Sequence, residues 1–290
     1  MFLPHKMVEK KLNEFLVEDV GEGDVTTSLL IPKDATAEAI VIAKETGIIA
    51  GGEEAQILLE SLGITSEILT NDGSAAKKGQ TIMRMRGNAR TILTVERTLL
   101  NLVSRMSGIA SLTRLLVNQL QKHRIKTKIA CTRKTAPGLL YFDKKAVAIG
   151  GGDTHRLHLD DMLLIKDNHL ALSDSLERVV RKAKANASFS KKIEVEITRS
   201  EDVLVAIDAG ADIIMLDNFS PQKIRRTVDL LKKNACYGKV LLEASGGITS
   251  KNFIEFASTG VDVLSLGELT QSSKALNVSL EIVKTKKTRL

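Results

Sequence analysis

A small α+β domain followed by parallel βα units wound into a barrel, closed or incomplete, is the fold that this 290-residue sequence predicts. Three observations carry the prediction. From about residue 124 onward, seven short segments rich in β-branched and aliphatic residues alternate mostly with helical patterns, which implies a parallel sheet. Apolar residues occupy both parities of these segments, as parallel strands covered on both faces require. The segments end mostly in charged, hydroxyl or glycine residues, and in a barrel such ends converge on one mouth. An open doubly wound sheet, which would concentrate them at a single crevice, is the alternative.

The elements follow in order. Val8, Leu12, Phe15 and Leu16 place an amphipathic helix within residues 1–20, stopped by the turn Gly21-Glu22-Gly23-Asp24. Between 35 and 93 the runs ATAEAIVIA, GIIAGG and QTIMRM read as strands separated by Asn71-Asp72-Gly73 and Lys77-Lys78-Gly79, with one helix at 53–62. From 94 to 121 leucines and valines recur at helical spacing, and Gly108 predicts a break between two helices. The seven strand segments are KTKIACT, KAVAIG, DMLLIK, KIEVEI, DIIMLD, KVLLEAS and VDVLSLG; SDSLERVVRKAKAN and SPQKIRRTVDLLKKN are intervening helices.

Composition removes several function classes. With 43% apolar and 27% charged residues the chain is neither disordered nor a disulfide miniprotein, and its length allows one large or two smaller cores. A formal charge of +7 favours anionic ligands. The basic residues are scattered, however, and 3% aromatics without Trp leave little to stack nucleobases, so no nucleic acid partner is expected. Cys131 and Cys236 have neither CxxC nor Cys/His spacing, which argues against a zinc site and for a reducing compartment. The amino terminus lacks a continuous apolar run, so a cytoplasmic protein with no membrane partner is expected.

The strand ends supply the candidate site. Arg133, Lys134, His155, Arg156 and Lys166 sit on or just after three successive segments and suit carboxylate or phosphate. Ser245-Gly246-Gly247 and Gly267 follow the last two strands, where barrels hold phosphate. Glu194 and Glu196 share a strand face, and Asp217 ends the next strand. Glu196 and Asp217 read as functional carboxylates that bind hydroxyls, help hold Mg²⁺ or stabilise a developing cation. Glu194 reads as an internal salt bridge deeper in the barrel. Cys131 is read as a small buried thiol, and the glycines match neither GxxxxGK[ST] nor GxGxxG.

At these residues the chain resembles the quinolinate phosphoribosyltransferase family. The matching pieces are EDVGEGDVTT at 18–27, ERTLLNLVSRMSGIAS at 96–111, TRKTAPGL at 132–139, GGGDTHR at 150–156, LIKDNH at 164–169, EVE at 194–196, IIMLDN at 213–218, EASGGI at 243–248 and GVDVLSLGELT at 260–270. They run in family order over nearly the whole chain. The resemblance implies an N-terminal α/β sandwich domain, residues 1–110, to which a C-terminal helix returns within the segment 271–290, and an open seven-stranded α/β (TIM-like) barrel over 111–270, of the type II phosphoribosyltransferase kind. It implies conversion of quinolinate and phosphoribosyl pyrophosphate to nicotinate mononucleotide, pyrophosphate and CO₂ in NAD biosynthesis, with Mg²⁺.

Carried over by position, Arg133, Lys134, His155, Arg156 and Lys166 match the basic pocket for the pyridine dicarboxylate and pyrophosphate. Glu196 and Asp217 match the acidic pair near the ribose, and are the expected metal ligands, directly or through water. Ser245, Gly246, Gly247 and Gly267 match the loops for the 5-phosphate. Arg97 matches an arginine inserted from a neighbouring subunit, which implies a homodimer or a hexamer built as a trimer of dimers. Lys134, Lys166, Glu196 and Asp217 are the expected catalytic groups. Leu140, Thr154, Glu268 and Gln271 depart from the family pattern. Two other readings use the same residues: a molybdenum-associated paralogue acting on another acceptor, and a phosphate-binding lyase or aldolase with Lys166 as a Schiff-base amine.

Overall fold

The computed structural model describes residues 3–173 and 175–286, without the side chain of Lys286. Residues 1 and 2 of the expected first helix, Asp174 in the SDSLERVVRKAKAN pattern and 287–290 of the expected returning tail lie outside the described residues. The chain divides into two compact units, one of Met1–Arg114, Ala148–Gly150 and Ser273–Leu290, the other of Leu115–Val147 and Gly151–Ser272. Among the described residues no helix is long and apolar enough to cross a membrane.

In the first unit, α1 (His5–Val20) buries Val8, Leu12 and Leu16 at four-residue spacing and packs on α3 (Gly52–Ser61). Asp24 caps α2 (Val25–Leu30), its Oδ1 accepting the Thr27 N–H at 2.9 Å. β1 (Thr36–Ala43) alternates, with Ala37, Ala39, Val41 and Ala43 buried. The short pair β2 (Gly47–Ile48) and β4 (Ala75–Ala76) stands apart from the main sheet. That sheet is antiparallel: β3 (Thr65–Ile68) pairs with β5 (Thr81–Asn88), β5 with β1, and β1 with β12 (Val278–Lys286). The returning segment is therefore a strand and not the expected C-terminal helix, because Val278, Leu280 and Ile282 alternate with Ser279 and Glu281 at the strand period.

The expected break at Gly108 is absent. A single 34-residue helix, α4 (Ala89–Lys122), runs through it. Helical hydrogen bonding continues because the glycine serves packing: a Cβ on Gly108 would stand 2.2 Å from the Lys274 carbonyl oxygen. Ile92, Val95, Leu99, Val103, Met106 and Ala110 form the buried stripe of this helix at steps of three and four.

In the second unit the strands are β6 (Lys128–Cys131), β7 (Leu163–Ile165), β8 (Ile193–Ile197), β9 (Ile213–Asp217), β10 (Leu241–Ser245) and β11 (Val263–Leu266), all paired in parallel. From β7 to β11 each strand pairs with its successor in the chain, and β11 pairs back with β6. That circular order has no switch point, so the sheet is a barrel and not the doubly wound alternative. The barrel is open between β6 and β7, where one parallel bridge, Ala130 to Asp153, stands in place of a seventh strand.

The expected strand KAVAIG is a correction. It forms the last turns of α5 (Leu140–Gly150), in which Phe142, Ala146 and Val147 are buried. A six-residue apolar run does not distinguish strand from buried helix by periodicity alone. Consequently Gly150-Gly151-Gly152 ends a helix, not a strand, and the chain reaches the barrel wall only at Asp153. The remaining helices, α6 (Asp167–Ala171), α7 (Leu176–Asn186), α8 (Asp202–Ala209), α9 (Pro221–Lys233), α10 (Phe253–Ala257) and α11 (Glu268–Gln271), follow the strands as βα units. Ser220 caps α9 and Ser175 caps α7, each accepting the N–H three residues on.

Candidate active site

A cavity of about 580 Å³ opens at the carboxyl ends of the barrel strands. Ten of the twelve expected residues line it: Arg133, Lys134, His155, Arg156, Lys166, Glu196, Asp217, Ser245, Gly246 and Gly247. Gly267 is not in the lining, although a Cβ there would lie 3.4 Å from Lys134 Cδ. Arg97 belongs to α4 in the other unit, where it is exposed.

Strand register explains the convergence. Glu196 on β8, Met215 on β9 and Glu243 on β10 occupy one level, and Asp217 and Ser245 occupy the level two residues higher. Since alternate strand residues share a face, both levels point into the barrel. Lys166 follows the last residue of β7 and carries its ammonium to Glu196, Nζ to Oε2 2.6 Å. Asp217 Oδ2 accepts from Asn218 Nδ2 at 2.5 Å.

The Ser245-Gly246-Gly247 turn is held by Asn218, whose N–H donates to the Ser245 carbonyl at 2.9 Å and whose backbone is left-handed, φ 55°. A Cβ on Gly246, itself at φ +90°, would fall 2.3 Å from Asn218 Oδ1 and 2.8 Å from its N. Only glycine fits there. Glu268, one of the departures from the family pattern, grips the start of the following segment: its carboxylate accepts the Ser250 N–H at 2.5 Å and the Ser250 hydroxyl at 2.9 Å.

Beneath the mouth, His155 Nε2 lies 3.0 Å from Glu243 Oε2 and 3.4 Å from Glu194 Oε2, and both carboxylates are fully buried. Burial by itself lowers the imidazole pKa; the two carboxylates outweigh it and push it up to about 10. Burial also raises the Glu194 carboxyl. Nδ1 of His155 accepts the Arg156 N–H at 2.8 Å, which leaves Nε2 as the protonated nitrogen, and the further proton that the raised pKa describes belongs to the trio as a whole. The trio also has one ligand atom from each residue within metal-binding reach. The imidazole hydrogen bond accounts for Glu243, whereas both side-chain oxygens of Glu194 are buried without a hydrogen-bond partner among the described residues.

Glu194 is thus the deep internal partner the sequence predicts. Glu243 and Asn218 are additions that the sequence reading did not single out. The signal for Glu243 was its place two residues before Ser245 on the same strand face; Asn218 directly follows Asp217. Cys131 is buried at the end of β6, and burial raises its thiol pKa, in keeping with an unreactive role. Arg156 is half-buried; burial and then the charge of Arg133 lower its pKa.

Comparison with known proteins places this geometry. Residues 24–107 match the N-terminal domain and 109–281 the C-terminal domain of quinolinate phosphoribosyl transferase. A protein of Methanothermobacter thermautotrophicus named "Probable nicotinate-nucleotide pyrophosphorylase [carboxylating]" is 43% identical over 271 residues, covering 93% of this chain and 97% of its own. The nicotinate-nucleotide pyrophosphorylase (carboxylating) of Rattus norvegicus is 36% identical over 280 residues, covering 97% and 92%. The solved structure of the nicotinate-nucleotide pyrophosphorylase from Francisella tularensis superposes with a TM-score of 0.88 at 38% identity, over 97% of each chain. With both domain models matched in sequence order across most of its length, the chain belongs to the quinolinate phosphoribosyl transferase family.

Proposed function

We propose that this protein transfers the phosphoribosyl group of phosphoribosyl pyrophosphate to quinolinate with loss of CO₂, releasing pyrophosphate and nicotinate mononucleotide for NAD synthesis. The observation that carries the reading is the division of charge within one cavity. Four cationic side chains, Arg133, Lys134, Arg156 and Lys166, enter it from the β6 end, the 153–156 loop and the β7 end, with His155 beside them, while Glu196 and Asp217 enter from β8 and β9.

The chemistry needs that division. As the bond from C1′ to pyrophosphate breaks, positive charge grows on the ribose and negative charge on the leaving group. Glu196 and Asp217 steady the first, and the lysines and arginines the second. Attack by the ring nitrogen on C1′ leaves the pyridine ring cationic. The adjacent carboxylate then departs as CO₂, its bonding pair stays on the ring carbon as an ylide, and that carbon takes up a proton. Here the protein's part is to position and neutralise. The turn Ser245-Gly246-Gly247 has left-handed backbone at both glycines, a conformation that lets backbone N–H groups approach the 5-phosphate.

Mg²⁺ fits the donor set. Two carboxylates without sulfur or imidazole suit a hard cation that keeps several waters and takes further ligands from substrate phosphates. Glu196 and Asp217 are the residues to hold it, and because Glu196 Oε2 already pairs with Lys166, contact through water suits that side chain. The ion would supply neutralisation of the leaving pyrophosphate. A homodimer in which the exposed Arg97 enters the partner's cavity belongs to the same proposal.

The Lys166–Glu196 pair favours a positioning ammonium over the Schiff-base amine of an aldolase. The deciding assay supplies quinolinate, phosphoribosyl pyrophosphate and Mg²⁺, and detects nicotinate mononucleotide, with nicotinate as control acceptor. Product is expected from quinolinate alone; absence of product with quinolinate overturns the proposal.

A further inference from the structure

Lys144 on α5 is one of the largest fully buried side chains, with 1% of its surface exposed, and it lies outside the cavity lining. Its ammonium has no carboxylate partner among the described ion pairs. Instead Nζ donates to the carbonyl oxygens of Thr154 and Arg156, the latter at 3.1 Å, and so straddles His155. Cys131 Sγ makes a further contact of 3.5 Å with the Thr154 carbonyl.

The segment that Lys144 grips is unusual. His155 has φ 52°, a left-handed conformation that side-chain-bearing residues seldom adopt and that persists only where the surroundings impose it. Three contacts impose it: the His155 N–H donates to Asp153 Oδ1 at 2.8 Å, the Arg156 N–H donates to His155 Nδ1 at 2.8 Å, and Lys144 holds the carbonyl on either side. Burying an ammonium is costly, and burial lowers this one's pKa. Hydrogen bonds to two carbonyls offset part of that cost and, in return, fix the direction in which the 154–156 backbone presents its side chains.

We infer that Lys144 is a positioning residue for the acceptor: from behind the barrel wall it sets the loop that brings His155 and Arg156 into the cavity. The inference rests on the reading above that this loop, with the Arg156 guanidinium beside the His155 ring, meets a pyridine dicarboxylate. Phosphoribosyl pyrophosphate also has Lys134, Lys166 and the β8 to β10 ends, none of them on this loop, and so depends on it less.

The test uses the full-length protein and the variants Lys144→Met and Asp153→Ala. Lys144→Met removes the ammonium while keeping an unbranched side chain. Asp153→Ala, at an exposed position, frees the His155 N–H and carries the test if Lys144→Met does not fold. The expected result is a KM for quinolinate raised about tenfold or more in Lys144→Met and about threefold in Asp153→Ala, with the KM for phosphoribosyl pyrophosphate moved less than about twofold. A second readout needs no turnover: the ring ¹⁵N resonances of His155, assigned by their loss in His155→Ala, shift in both variants. Equal rises in both KM values, or unchanged KM values with unmoved ring resonances, overturn the inference. A wild-type protein that makes no nicotinate mononucleotide, with variants whose His155 resonances still shift, defeats the functional reading and leaves the loop-setting role standing.

Discussion

Lys166 Nζ lies 2.6 Å from Glu196 Oε2, so a cation expected to meet the anionic substrates and a carboxylate expected to face the ribose hold each other across neighbouring strand ends. The lysine is half-exposed and the glutamate buried. Each group therefore orients the other before substrate arrives, and each is available to charge that develops during transfer. Lys166→Ala and Glu196→Gln should each lower kcat by about a hundredfold or more while the fold is retained. Steady-state kinetics alongside circular dichroism checks this, and near-normal turnover in both variants would remove the pair from the reaction.

The His155 trio predicts a pH dependence of stability. Its pKa, pushed up to about 10, exceeds that of an unfolded histidine, about 6.5. The native state binds the extra proton throughout that interval. The contribution to stability is thus complete below about pH 6.5 and is lost as pH rises through about 10. Glu243→Gln removes one of the two carboxylates responsible and should flatten the decline. Urea midpoints measured from about pH 6 to 10 would show it, and parallel curves for wild type and variant would rule the coupling out.

Gly246→Ala places a Cβ 2.3 Å from Asn218 Oδ1 at a backbone with φ +90°. The strain costs about 1–3 kcal/mol and falls on the turn expected to hold the 5-phosphate. We expect the KM for phosphoribosyl pyrophosphate to rise about tenfold and that for quinolinate to move little. A uniform effect on both substrates would argue against a phosphate role for this turn.

Gly108→Ala separates two accounts of one glycine. In a helix free of close neighbours the change would stabilise by about 0.8–1 kcal/mol. With the Lys274 carbonyl 2.2 Å from the new Cβ, overpacking should instead destabilise by about 1–3 kcal/mol. Thermal melts decide the sign.

Arg97→Ala and Lys166→Ala test the shared site. If Arg97 serves the partner's cavity, each variant alone is nearly inactive, and an equimolar mixture allowed to exchange subunits recovers about a quarter of wild-type activity, since half of the dimers then hold one intact site. No recovery in a mixture shown to exchange would place Arg97 in its own subunit's cavity, and an Arg97→Ala variant that is active by itself would place it outside catalysis.

Much of the site was legible because parallel strands alternate their side chains and end on one side of the sheet. Arg133, Lys166, Glu196, Asp217 and Ser245 could be placed from strand-end position alone. The helix over KAVAIG and the unbroken α4 could not. A short apolar run fits two periods equally well, and whether a glycine breaks a helix or admits a close neighbour depends on a carbonyl from residue 274, far along the chain.

By itself the sequence determined the class of most long elements, the order of most βα units and the residue types gathered at their ends, because periodicity and turn chemistry act over a few residues. Only the tertiary structure decided that β11 returns to β6, that His155 reaches down between Glu194 and Glu243, and that the buried Lys144 braces the loop above them. The first two join residues far apart in the chain, Lys128 with Val263 and His155 with Glu243. They follow from barrel closure and from the need of each buried charge for a partner, which no local pattern encodes.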